Sequence, residues 1–456
     1  MKDLETVYQD TLNYLYSFVD FSLQRNFRYN PEQFDLGRMF QIMSLSGDPQ
    51  ASYPIIHVAG TKGKGSVSAM CASVLRAAGY RVGLYTSPHL DDYAERIQVD
   101  GQPIPHADLV DLVQANKGKI EAVQKLTTFE ITTALAFLYF FQRGVQAAVI
   151  EVGLGGRLDA TNVCRPEVSV ITSLSYDHTL ILGETLAQIA VEKAGIIKPG
   201  LPVVISPQQS EARLVLERIA QERSSPLVEV GRDYLYSALS HSLEGQSLIV
   251  WAAHDQPKVD AYLEGGQELG PSSARLEIPL LGYHQLENAA TAYAALQIFR
   301  GRSLPVRDEC IQQGFRQVSW PGRFELLRRD PPVIIDCAHN RDSALKLRLT
   351  LDDYFPTHPI ILVFGASEDK DIEGMFAELL PRVRQVILVK SFHPRAADPE
   401  LLLQLVHRSG KPAEIIPDVV DGLEAALRLA GNEAAVLVTG SIFVAAGARI
   451  AWYKRT

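Results

Sequence analysis

HVAGTKGKGSVSAM, residues 57–70, is the stretch that decides the fold. An apolar run beginning at PIIHVAG leads into a glycine-rich loop, and the loop leads into a helix-forming segment. Backbone N–H groups around Gly60, Gly63 and Gly65, with Thr61 among them, can converge on phosphate oxygens in such a loop, helped by the positive end of the helix dipole. Lys64 is then placed to bridge the β and γ phosphates of a nucleotide. In the usual phosphate-loop formula Gly-Lys is followed directly by Ser or Thr. Here Gly65 intervenes and the hydroxyl arrives one residue later, at Ser66. A merely flexible Gly-Lys turn is the bland alternative, and the order of strand, loop and helix weighs against it.

Outward from this stretch, short apolar runs alternate with helix-length segments: RVGLYTS, TTFEITTALAFLYFFQRG, AAVIEVG and VSVITSLS. Repeated strand-helix-strand units predict a mostly parallel sheet covered by helices, with ligands at the strand C-termini. From Leu201 to about Gly282 the pattern loosens, and a partly antiparallel appendage is expected there. A second alternating series, PVIIDCAHN, PIILVFGAS, RQVILVKS and AAVLVTGS, predicts a smaller Rossmann-like α/β domain. The punctuation at Pro321-Gly322 sets the expected division at 1–318 and 319–456.

A second glycine-rich run, EVGLGGRLDATN, also follows a strand, but Leu158 stands where a dinucleotide fingerprint needs its third glycine. Its residues read better as ligands. Glu151 ends an apolar strand, where a charged group must be paired or metal-bound, so it is expected to hold Mg²⁺. Asp159, Thr161 and Asn162 lie in the loop beyond. His178, after the next strand, reads locally as a satisfied loop or core histidine, since Mg²⁺ favours oxygen.

Composition excludes more than it assigns. A net charge of −9, from 53 acidic and 44 basic residues, argues against a nucleic-acid binder that neutralises phosphates. Cys71, Cys164, Cys310 and Cys337 lack CxxC spacing, so neither zinc site nor disulfide framework is expected. No signal peptide or long apolar run stands in the sequence, and a cytoplasmic protein without membrane partners is expected.

Together these strings resemble the folylpolyglutamate synthase and dihydrofolate synthase family, which belongs with the Mur ligases. The resemblance runs from about Asp20 to Ala446. GTKGKGS is similar to the family's GTNGKGS, inserted glycine included, with Lys62 in place of asparagine. That added cation has two readings, a nucleotide contact or a solvated lysine. TSPHL and EVGLGGRLDATN imply Ser87 and Glu151 as metal ligands beside Ser66, and SLSYDHTLILG implies that His178 joins a second Mg²⁺, against its local reading. VEKAGIIKPG implies a carbamylated Lys193. HQLENAATA, with His284 and Gln285, implies that Asn288 contacts adenine. SWPGRFE implies that Arg323 reaches the nucleotide phosphates from the hinge.

DCAHN resembles the family's DGAHNP and implies Asp336 and His339 at the nucleotide and glutamate side. Cys337 and Arg341 replace the glycine and proline, which leaves the local backbone shape open. FGASEDKD and SFHPRA imply Lys370, Ser391, His393 and Arg395 around glutamate. LTTFEITT and YAERI imply Phe129, Thr127, Asp159 and Arg96 around the pterin end of a dihydropteroate or folate.

The implied activity is that of an ATP-dependent ligase that converts a substrate carboxylate into an acyl phosphate and couples it to L-glutamate. Lys64, Lys193, His178 and Arg323 are its expected catalytic set, and a monomer is expected. Whether it acts on dihydropteroate, on folates already bearing glutamate, or on both stays open. A Mur-type ligase acting on a cell-wall nucleotide is a rival, as is a P-loop ATPase switch. Gly65 and the TSPHL, LTTFE and SFHPRA strings weigh against the first, and the second α/β domain against the other.

Overall fold

The computed structural model describes residues 3–19, 35–266, 269–270 and 272–455. The start of the resemblance near Asp20 lies outside them. Ile55–Ala59 is buried at every position, as expected of a strand covered on both faces. It sits inside an eight-stranded sheet ordered Gln102–Pro103, Ile97–Val99, Val82–Tyr85, Ala147–Glu151, Ile55–Ala59, Val168–Ile171, Val203–Ile205, Leu227–Glu229. Strands from Val82–Tyr85 onward run parallel, and the first two pair antiparallel.

The chain leaves Ile55–Ala59 toward one edge, returns to pair Ala147–Glu151 beside it, and only then crosses to Val168–Ile171 on the other flank. That reversal opens a crevice at the strand C-termini, where a parallel sheet binds ligands. Three loops meet there: those after Ala59, Glu151 and Ile171.

The helix Lys64–Ala77 is buried over most of its surface. It packs between the sheet and the helices Tyr283–Arg302 and Asp308–Gln317, within one apolar cluster that includes Val67, Met70, Val74, Tyr293 and Phe315. Its N-terminus has no side-chain cap, which leaves its first N–H groups available to an anion.

The antiparallel part is smaller than the sequence suggested. LPVVIS, residues 201–206, falls within the span expected to form the appendage, yet Val203–Ile205 is wholly buried and extends the parallel sheet, as does Leu227–Glu229. The antiparallel sheet of three strands starts at Tyr234, in the order Ser273–Ile278, Gly245–Ala252, Tyr234–Ser242. The reason is visible in the residues: Val203, Val204 and Ile205 form a continuous apolar run, whereas Ser273–Ile278 alternates buried and exposed, the mark of a sheet wet on one face.

The C-terminal unit is a six-stranded sheet ordered Glu325–Arg329, Pro332–Ile335, Ala435–Thr439, Ile360–Phe364, Val383–Leu388, Ala413–Ile415. Only its first pair is antiparallel. Among the described residues, no helix is long and apolar enough to cross a membrane.

Candidate functional site

The phosphate loop is shaped by what presses on it. Gly63 has φ 89°, and a Cβ there would stand 2.2 Å from Asn288 Oδ1. The intervening Gly65 lies against the indole of Trp320, 2.8 Å from where its Cβ would be. An ordinary side chain fits at neither position. The loop is also tied to the next strand, since Thr61 N–H and Lys62 N–H both donate to the Ser173 carbonyl, at 3.0 and 3.1 Å. Asn288, on the helix Tyr283–Arg302, is buried and donates to Gln285 Oε1 at 3.0 Å.

Buried charge surrounds this loop. Lys193, at the end of the helix Leu186–Lys193, is 4% exposed and donates to the Gly60 carbonyl at 2.8 Å. Burial, and then the neighbouring Lys64, lower its ammonium to about 7. Glu151 is 5% exposed and accepts from Ser87 N–H at 3.2 Å. Burial raises its carboxyl, and Lys64 opposes that rise. Ser66 is buried at the start of the helix. Lys64 makes no hydrogen bond with the described residues. Nor, among those residues, do three His, Cys, Asp or Glu side chains converge, so a divalent ion here would depend on hydroxyl and substrate oxygens as well.

On the other side of Glu151, the Phe129 ring is half-buried over Gly153, 2.3 Å from where a Cβ there would be, with its centroid 6.2 Å from that of Tyr85. Asp159 is held by the Leu154 N–H at 2.8 Å and by the Thr161 N–H and hydroxyl at 3.0 and 2.5 Å. Because that hydroxyl donates to the carboxylate, it accepts from His57 Nε2 at 2.8 Å. His57 therefore carries its proton on Nε2, and its buried Nδ1 has no partner among the described residues. Arg96 donates to His89 Nδ1 at 3.0 Å and lies over the Tyr93 ring. Thr127 and Glu130 form a capping box on the helix Thr128–Gln142. The Thr127 side chain is thus committed to a cap, whatever pocket it also borders.

The C-terminal unit carries its own set. Asp336 accepts N–H bonds from Phe324 and Ala338, at 2.8 and 2.7 Å. Arg323, half-buried, donates to the Gly322 carbonyl at 3.1 Å. The backbone at the DCAHN departures is orderly. Cys337 N–H bonds the Gly322 carbonyl at 3.0 Å, and Asn340 caps the helix Arg341–Tyr354. Arg341 then occupies the first helical position, where a proline's missing N–H costs nothing, so either residue suits it. His393 stacks on Phe443 with centroids 4.3 Å apart, Ser391 is buried nearby in sequence, and Arg395 bonds Asp369 at 3.3 Å.

Between the units stands Asp177, which the sequence reading passed over. Its Oδ2 accepts from Lys62 Nζ and Asn340 Nδ2, both at 3.0 Å, and its Oδ1 accepts from Lys370 Nζ at 2.8 Å. Burial alone would raise this carboxyl, but Lys62 and Lys370 hold it well below the usual carboxylate range. Lys62 is therefore not a solvated lysine. Lys370, expected near glutamate, is engaged by Asp177 as well. His178, next in sequence, is exposed, with φ 50°.

Residues 58–296 match the Mur ligase middle domain, and residues 322–442 match the Mur ligase glutamate ligase domain. The chain is 34% identical over 446 residues to a dihydrofolate synthase/folylpolyglutamate synthase of Bacillus subtilis, spanning 96% of this chain and 97% of that one. Among solved structures it is similar to a Mycobacterium tuberculosis folylpolyglutamate synthase complexed with ADP, at 31% identity, TM-score 0.86 and 99% coverage of both chains. It is also similar to E. coli FolC in complex with DHPP and ADP, at 30% identity and TM-score 0.83 over 100% of each chain.

The His57 hydrogen bonds make a pH prediction. Burial holds its ring near a pKa of about 3, against an ordinary 6.5. Between those values the unfolded chain binds a proton that the folded chain refuses, so this histidine's contribution to stability is full above 6.5 and is lost as pH falls toward 3. Replacing it by glutamine, which keeps a donor for Thr161, should remove one proton from that dependence. Denaturant unfolding from pH 6 to 4 should be flatter in His57→Gln by about 1.4 kcal/mol per pH unit. Equal slopes would mean that His57 does not titrate as its burial requires.

Proposed function

The chain belongs to the folylpolyglutamate synthase/dihydrofolate synthase family of Mur ligases, and on that premise we propose that it is an ATP-dependent ligase coupling a folate or dihydropteroate carboxylate to L-glutamate. The observation that carries this reading is the placement of Lys64, Lys193 and Glu151 around one uncapped helix N-terminus, with His339 and Lys370 of the C-terminal unit bonded to Lys62 and Asp177 beside it.

In the reaction, a substrate carboxylate oxygen attacks the γ phosphorus of ATP, the bond to the β-phosphate oxygen breaks, and ADP and an acyl phosphate form. The glutamate amine then attacks the acyl carbon and displaces inorganic phosphate. Charge moves onto phosphate oxygens in both steps, so the chain's work is positioning and electrostatic opposition. Lys64 is the cation free to act there. The amides near Gly60, Gly63 and Gly65 cradle phosphates, Asn288 borders the adenine, and Arg323 approaches from the hinge. Phe129, beside Gly153, offers a half-exposed ring to a pterin, with Asp159, Thr127 and Arg96 around it. Ser391, His393 and Arg395 are assigned to glutamate.

The donor set of Ser66, Ser87 and Glu151 is hard oxygen, the chemistry Mg²⁺ prefers, and His178 is assigned to a second ion. Bound magnesium supplies positive charge opposite the phosphate oxygens. Lys193 fits carbamylation: an amine lowered to about 7 is neutral in good part at cellular pH and can add CO₂. The product, an anion, would sit among cations. The expected location is the cytoplasm, where ATP is available.

Lys64→Ala should lower ligation by on the order of 10²-fold or more, with the melting temperature nearly unchanged, because it removes charge from the phosphoryl group and nothing from the core. Near wild-type turnover would remove the phosphate-loop assignment. Lys193→Ala should lose activity on a similar scale and regain part of it with added short carboxylates, which replace the missing anion. Intact mass of active protein with an unmodified Lys193 would end the carbamate reading while leaving the ligase intact.

A further inference from the structure

Lys62 departs from the asparagine of the family's phosphate loop, and the structure shows where its charge goes. Its ammonium donates to Asp177 Oδ2 and to His339 Nε2, both at 3.0 Å. The second bond has a defined direction. His339 Nδ1 lies 2.9 Å from the Cys337 carbonyl, an acceptor only, so Nδ1 carries the proton and Nε2 is the acceptor. Lys62 and Asp177 belong to the unit of the eight-stranded sheet, while His339, Asn340 and Lys370 belong to the C-terminal unit. One carboxylate thus gathers Lys62 from its own unit and Lys370 and the Asn340 amide from the other, with side chains of Lys62, Asp177 and Lys370 only 14%, 7% and 11% exposed. Without Lys62, Asp177 keeps Lys370 and Asn340, so the cluster would be weakened and not left as an uncompensated buried charge.

We propose that Lys62 is a positioning residue that holds the C-terminal unit against the phosphate loop while the acyl phosphate awaits glutamate. The proposal rests on the ligase reading above and adds a role that reading does not contain. Lys64 and Lys62 divide the work of the loop: Lys64 has no hydrogen bond among the described residues and is left for phosphate, whereas Lys62 is spent on the seam. The seam matters because water can take the place of the amine. Its oxygen would attack the acyl carbon and the bond to phosphate would break. The original carboxylate and inorganic phosphate would then result, with ATP consumed and no amide made. Keeping the units together excludes that water. A second ionic contact, Arg449 with Asp91, also joins the two units, so losing Lys62 loosens the closure without parting the units.

The test is the ratio of ADP released to glutamate incorporated in the full-length protein, with the KM for ATP and the melting temperature measured alongside. Wild type should give a ratio near one. Lys62→Asn, which carries the family's own residue, should melt within a few degrees of wild type, keep its ATP KM within roughly twofold, and release about threefold or more excess ADP. Lys62→Arg should return the ratio toward one. Asp177→Asn should also uncouple, and the double variant Lys62→Asn/Asp177→Asn should be no worse than the poorer single, since both act through one contact. A ratio of one in Lys62→Asn overturns the proposal. So does an ATP KM raised about tenfold with coupling intact, which would make Lys62 a nucleotide ligand. Absence of any glutamate-dependent ADP release in the wild type would instead remove the ligase reading, and the seam's role with it.

Discussion

Positive charge held out of water is the constraint around which this structure is organised. Lys193 is almost fully buried and Lys62 nearly so, and desolvation weakens the ammonium of each. Lys64 stands close enough to lower Lys193 and to oppose the rise of Glu151. Such a concentration of cations is unfavourable unless something negative enters. Asp177 answers part of it from the next loop, and Glu151 another part. A polyphosphate entering above the uncapped helix would answer the rest, which is why the reading as a nucleotide site follows from energetics as well as from the loop's shape.

Backbone shape serves the same end. Gly63 and Gly65 are where Asn288 and Trp320 come in closest, so the two glycines let a helix from later in the chain and the segment leading to the hinge pack directly on the phosphate loop. Trp320, the helix carrying Asn288 and the phosphate loop are thereby one packed body. The side proposed for the pterin is joined to it through Glu151 and the loop that follows, where Gly153 lies under Phe129 and Asp159 is braced by Thr161, itself bonded by His57. A bound ring at Phe129 would rest on the same loop that leaves the strand carrying Glu151.

Much of this was readable from residues, for reasons that differ. The phosphate loop showed itself because strand, glycines and helix lie in one unbroken stretch. Glu151 showed itself because a carboxylate ending an apolar strand demands a partner. Val203–Ile205 was misplaced although its unbroken apolar run is the signature of a strand buried on both faces. Thr127 was read only as a pocket residue, yet Thr127 and Glu130 stand at capping-box spacing. The roles of Lys193 and His178 came from family resemblance alone, since a helical lysine and a loop histidine carry no local mark. Asp177 was not legible at all. Its partners lie 115, 163 and 193 residues away, and only the folded chain brings Lys62, Asn340 and Lys370 to one carboxylate.

The central claim is that ATP is spent on joining a carboxylate to glutamate, and sustained ADP release tests it most directly. The protein would be supplied with ATP and magnesium, and with dihydropteroate or a reduced folate, each with and without L-glutamate. The account predicts steady ADP release with at least one of the two carboxylates only when glutamate is present, accompanied by an amide product heavier by one glutamyl residue. ADP release at the same rate without glutamate, and with no such product, would contradict it and point to an ATPase that works on something else.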